Sequence, residues 1–328
     1  MTYKPNTLLR ILLPGILMTV AYCGNAHAAL TCNAWATSMQ FGSVDMNSGS
    51  AATSSGQFGY SCNSGDQSTR ALLCFSVAQE PTRPGYTPRY MPILHSVLSG
   101  YFVGYTLYSD VARTTAIGSI DAGGSAPPLT LNLTVPANTG LTNTVPIYGD
   151  IKPEGQNSYM GGQNYGHTSP ITLSYMAYTG ATPSCQSARM STAPATLYVG
   201  ASLTNTCRIE SATNLNFGSV DGVLDHNVDS NSTITVTCTQ NTSFKVGLND
   251  GLNPSGTTRR MRGTAGYIPY ELYQDASRST RWGNDSSSWI QTAGVGTPQT
   301  LTVYGRVRPQ TMPGGGNYQD TIVVTVTY

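Results

Sequence analysis

The chain carries one pattern twice, and the repeat constrains the fold more than any other feature. Phe41-Gly-Ser-Val-Asp45 recurs unchanged as Phe217-Gly-Ser-Val-Asp221. Tyr105-Thr-Leu-Tyr-Ser-Asp110 returns as Tyr270-Glu-Leu-Tyr-Gln-Asp275, each followed by an alanine and an arginine. Ile147-Tyr-Gly149 answers Val303-Tyr-Gly305, and Cys32 and Cys62 stand in the places of Cys207 and Cys238. The closing segments Tyr165–Tyr175 and Tyr318–Tyr328 have equal length. These landmarks keep one order at a spacing far beyond that of a solenoid repeat. The chain is therefore a tandem duplication of a whole domain.

Within each copy the pattern is that of strands. Thr233–Cys238 and Thr321–Tyr328 alternate polar and apolar residues, which puts one face in a core and the other in water. Turns such as Asn253-Pro-Ser-Gly256 and Pro313-Gly-Gly-Gly316 punctuate them, and no amphipathic helix stands out. The expected fold is all-β, as two tandem antiparallel β-sandwiches. Residues 179–194, rich in Gly, Ser, Thr and Pro, lose all periodicity and read as a linker between domains at 29–178 and 195–328.

Residues 1–28 read as a secretory signal peptide. Lys4 and Arg10 precede an apolar run from Ile11 to Tyr22, and Ala26-His-Ala28 supplies a small-x-small cleavage site. Export implies an oxidising compartment, and the six cysteines beyond the leader contain no C-x-x-C pair. Disulfides are expected rather than metal ligation. The repeat makes Cys32–Cys62 and Cys207–Cys238 the natural bridges and leaves Cys74 with Cys185, although spacing alone does not fix connectivity.

The charge pattern narrows the partners. Only 10% of residues are charged and basic and acidic side chains nearly balance, so no field draws nucleic acid. No catalytic motif, cofactor cradle or metal-ligand spacing is present, and no enzymatic activity is expected. His95, His167 and His226 are scattered in loop-like settings, and Asp221 and Asp225 fit a turn. Arg259-Arg-Met-Arg262 reads as strand-edge polarity.

The copies differ at their starts. Before Cys207 lies an alternating segment, residues 195–206, with Leu197, Val199, Ala201 and Leu203 on one face. Before Cys32, once the leader is removed, only Ala29, Leu30 and Thr31 remain. The second copy also carries Asn216-Phe-Gly-Ser-Val-Asp221, Thr258-Arg-Arg-Met261, Pro269-Tyr-Glu-Leu-Tyr273 and Leu301-Thr-Val-Tyr-Gly-Arg-Val307. With these motifs it resembles a spore coat protein U-like domain, and the first copy resembles it more loosely.

That family includes subunits of archaic, Csu-type chaperone–usher pili, and two such copies behind a leader resemble their tip adhesin. The resemblance implies immunoglobulin-like sandwiches, the second an incomplete pilin domain whose missing strand a neighbour supplies by β-strand addition. It implies as partners a periplasmic chaperone, an outer-membrane usher and an adjacent pilin subunit. It also implies a place in the fimbrium at the cell surface, attachment to abiotic or host surfaces, and biofilm formation. Lacking a leading strand, the first copy is expected at the tip. Leu197, Val199, Ala201 and Leu203 are the expected donor strand that completes it from within the chain; the alternative is that 195–206 form the second domain's own first strand.

Three loops are longer in the first copy; the middle one includes Ile117 and Ile120 but its tip is mostly small and polar. Ile93, Leu94, Val97, Leu98, Tyr159 and Met160 are the expected surface-binding residues, because contiguous exposed apolar side chains mark interaction sites. A lectin-like adhesin binding sugar through Tyr- and Asn-rich loops, and a structural spore or envelope coat protein, are the alternatives.

Overall fold

The computed structural model describes residues 30–328 apart from 81–84, 95–99, 121–125, 154–158, 188 and 222. The leader, Val97 and Leu98 lie outside the described residues. Regular structure among the described residues is entirely β, in two units that each stack two sheets.

One sheet of the first unit has the spatial order β1 (Thr31–Ala36), β3 (Ala52–Asn63), β8 (Leu141–Ile151), β6 (Phe102–Tyr108), β5 (Arg89–Pro92). The facing sheet runs β2 (Met39–Val44), β10 (Ser191–Leu203), β9 (Asn164–Ala177), β4 (Thr69–Val77), β7 (Leu129–Val135). Alternation builds the core between them. Phe58, Tyr60 and Cys62 of β3 point inward to meet Leu73, Phe75 and Val77 of β4, and Phe58 stacks on Phe75 with ring centroids 5.1 Å apart.

The second unit pairs β11 (Cys207–Ala212), β12 (Val228–Cys238), β17 (Gln299–Val307), β15 (Gly266–Tyr273) and β14 (Arg259–Gly263) in that order. Its facing sheet holds β16 (Ile290–Ala293), β13 (Ser243–Leu248) and β18 (Val324–Thr327). Phe244, Val246, Trp282 and Val236 form its core. Disulfides join Cys32 to Cys62, Cys207 to Cys238 and Cys74 to Cys185. The first two bind equivalent strand pairs, β1 to β3 and β11 to β12.

The repeated motifs are loop devices as well as core. Asp110 accepts hydrogen bonds from the amides of Thr114 and Thr115, and Asp275 does the same for Ser279 and Thr280. The loops hold Arg113 and Arg278 at φ 58, from which their Nε atoms donate to the carbonyls of Gly149 and Gly305. The expected strand-edge role fails for Arg259. It is fully buried, pairs with Glu271 and donates to the carbonyls of Leu248, Asn249 and Trp282. Its counterpart Arg89 is equally buried and donates to Ala78 and Ile117. Burial pushes Arg89 down to about 10.

Candidate functional site: a complementing strand and a groove without one

The strand expected to complete the first copy starts earlier than anticipated. β10 begins at Ser191, so 191–194 are strand and not linker. Its length pairs antiparallel with β9, Leu197 facing Ser169 and Val199 facing His167. On its other edge it pairs parallel with β2, Val199 facing Met39 and Leu203 facing Val44. One parallel pair thus interrupts the expected all-antiparallel arrangement. β2 carries a bulge here, since Gln40 opposes Gly200 while Ser43 opposes Ser202. Gly42, at φ 67, provides the left-handed residue that such a bulge needs.

Leu197, Val199, Ala201 and Leu203 all point into the first unit's core and are at most 5% exposed. Burying the three larger side chains contributes on the order of 5 kcal/mol before ordering entropy. Residues 195–203, counted from sequence with the second domain, therefore lie in the first domain's sheet, and the junction falls at 204–206. The chain pairs them this way because both edges left open by β9 and β2 are satisfied at once.

Among the described residues the second unit has no such strand. Ala78 N donates to Pro170 O and Asn249 N to Val323 O, while Val77 faces Ile171 and Leu248 faces Val324. β18 is thus the counterpart of β9. β9 pairs on both edges, whereas β18 pairs with β13 alone among the described strands. The counterpart of β2, residues 215–220, forms no strand.

Side-chain exposure follows. Met39, Phe41, Ile171 and Leu173 are buried, but their counterparts Leu215, Phe217, Val324 and Val326 are only half-buried. Val323 and Tyr328 are exposed. By comparison with the first unit, the place between 215–220 and β18 that a strand would fill holds none among the described residues, and the apolar side chains flanking it stay half-buried. That Phe41-Gly-Ser-Val44 forms the far wall of a strand slot was not legible in the sequence, because the strand that fills the slot comes from a distant segment.

The expected surface-binding residues are brought to a different setting. Ile93 and Met160 are buried, each 8% exposed, in the first unit's core cluster. Leu94 and Tyr159 are half-buried. Their loops face the second unit. Met160 forms a β-bridge with Gln240, Gly161 N donates to Gln240 O at 3.3 Å, and Gln240 Nε2 donates to Tyr101 Oη at 3.3 Å. Beside them Asn47 Nδ2 donates to Thr206 O and Oγ1, and Thr206 Oγ1 donates to Asp45. The extra apolar length thus serves, at Ile93 and Met160, a junction and a core rather than a solvent-facing tip. His167, expected in a loop, lies in β9 with its Nε2 buried and unpartnered. Among the described residues no three His, Cys, Asp or Glu side chains gather as metal ligands, and no helix is long and apolar enough to cross a membrane.

The Spore Coat Protein U domain model matches residues 17–172 and 193–325, two copies covering most of the chain. The chain belongs to the Spore Coat Protein U domain family. Protein U of Myxococcus xanthus is 37% identical over 158 residues, spanning 43% of this chain and 88% of that protein. Among solved structures, a chain of the CsuC–CsuE chaperone–tip adhesion subunit pre-assembly complex of Acinetobacter baumannii superposes with a TM-score of 0.50 at 18% identity. That match covers 91% of this chain and 100% of the other. At that identity the match shows a shared fold. The second family match begins at residue 193 and so includes most of β10, which folds into the preceding unit. Sequence repeat and folding unit are one strand out of phase.

Proposed function

We propose that this protein is the adhesive tip subunit of a chaperone–usher pilus, carried to the cell surface through the periplasm. One observation carries the proposal: of two copies of one sandwich, the first is closed by β10, and among the described residues no strand fills the corresponding apolar slot of the second. A subunit so built has a finished domain to present and an unfinished one to join. The second domain receives an extended segment from the adjacent pilin, by strand addition to the free edge of β18. Before assembly a periplasmic chaperone covers the slot, and the outer-membrane usher exchanges one for the other.

The first domain makes the surface contact that supports attachment and biofilm growth. Burial removes Ile93 and Met160 from that contact, and Leu94 and Tyr159 contribute only their exposed portions. The test is periplasmic expression of the full chain with and without its chaperone. Soluble protein is expected only with the chaperone. A monodisperse, protease-resistant monomer without it would overturn the open-slot reading.

A further inference from the structure

The outer face of the sheet β1–β3–β8 carries an exposed tryptophan in a built setting. Cys32, Ala34 and Ala36 of β1 face the core, so Asn33 and Trp35 face solvent. Trp35 lies opposite Gly59 of β3, and Gly59 opposite Thr144 of β8. A Cβ on Gly59 would sit 2.0, 2.2 and 2.4 Å from Cε2, Nε1 and Cζ2 of the indole. Near-equal distances to three ring atoms mean that the indole lies flat across the glycine. One ring face packs on the backbone, and the residue remains 38% exposed.

The surroundings are neutral and rich in hydrogen-bonding groups. Asn33, Gln57 and Thr144 are exposed around the ring, and Ser61 and Thr142 share a hydrogen bond at 2.8 Å in the next row. No charged side chain stands on this face in β1 or in β3 and β8 from Ser55 to Ser61 and Thr142 to Tyr148. The second copy supplies a contrast. Its edge strand β11 carries Arg208, opposite Thr237, and Glu210, at a register shift where Ser211 takes the place opposite Thr235; Arg208 and Glu210 pair with each other. The first unit has an indole over a glycine on the edge strand where the second has a pair of opposite charges.

We propose that Trp35, Asn33, Gln57 and Thr144 form a binding platform for a neutral polysaccharide, with a pyranose ring stacked on the indole. A flat aromatic face accepts the axial C–H groups of a sugar ring, while amide and hydroxyl side chains answer its hydroxyls. A charged glycan finds no counter-ion on this face, whereas a neutral one leaves no charge unpaired. The platform does not depend on how the second domain is completed.

The test is affinity electrophoresis of the full chain through gels containing hydroxyethyl cellulose or glycol chitin, with tryptophan fluorescence titration against cellohexaose and chitohexaose. Retardation and a fluorescence change are expected with at least one of the two. Trp35→Ala should weaken binding about tenfold or more, and Trp35→Phe should retain part of it. Gly59→Val, which lifts the ring off the sheet, should weaken binding while Trp35 is still present. If Trp35→Ala lowers stability, Asn33→Ala and Thr144→Ala keep the test open, since both are exposed and each should weaken binding several-fold. No binding of the unaltered chain to any probe, or equal binding by Trp35→Ala, overturns the proposal.

Discussion

Truncating Leu197 to alanine tests which domain the strand holds together. Leu197 is fully buried, on a strand paired along both edges, with β9 on one side and β2 on the other. Pairing with β9 at Leu197 itself, and with β2 from Val199 onward, limits how far the site can collapse, so the cavity largely persists. Removing a buried leucine branch from such a site costs about 3 kcal/mol. For a domain of this size that lowers the first-domain melting temperature by about 10 °C.

Calorimetry of the chaperone-bound full chain should show that shift, and hydrogen exchange should locate it. Protection should fall in β9, β4 and β2 and stay unchanged in β12 and β17. Thr196→Ala, at an exposed position of the same strand, should change stability by less than about 0.5 kcal/mol. A loss of protection in β12 and β17, or no shift for Leu197→Ala, would refute the assignment of β10 to the first domain.

Cys185→Ser opens a bridge that ties the 178–190 loop to the buried Cys74 of β4 across a sequence separation of 111; denaturant titration should show a loss of about 2–4 kcal/mol. Burial holds His167 below its ordinary value of 6.5, with Glu80 opposing and Arg89 adding to the shift. The unfolded chain then binds a proton more readily than the folded one. First-domain stability should therefore be full above pH 6.5 and fall as pH drops below it, and His167→Asn should flatten that profile in thermal melts. Glu271→Gln strips the carboxylate from the buried Arg259 and should destabilise the second domain by about 3 kcal/mol, read from its calorimetric transition.

Much of this protein was written locally. The duplicated landmarks gave two domains, and the alternation at Thr233–Cys238 gave inward and outward faces, because a strand's side-chain period of two depends only on its own residues. The equivalence of Cys32–Cys62 with Cys207–Cys238 pointed to two of the three bridges. The alternation of Leu197, Val199, Ala201 and Leu203 likewise announced a strand with one apolar face.

Pairing across long sequence separations was decided only by the tertiary structure. The same four residues could have lined either domain, and their placement depends on the two open edges of β9 and β2 meeting one strand. Apolar loop residues looked alike whether bound for solvent or for the interior; Ile93 is drawn inward by its bridge to Tyr165 of β9, and Met160 lies in the same core while bridging Gln240 of the second unit. Trp35 was unremarkable in the sequence, since nothing local places Gly59 beneath it. That contact arises from the register of β1 on β3. Periodicity is a property of neighbours in the chain, whereas closure of a sandwich, and of its counterpart left open, is a property of edges brought together from far apart.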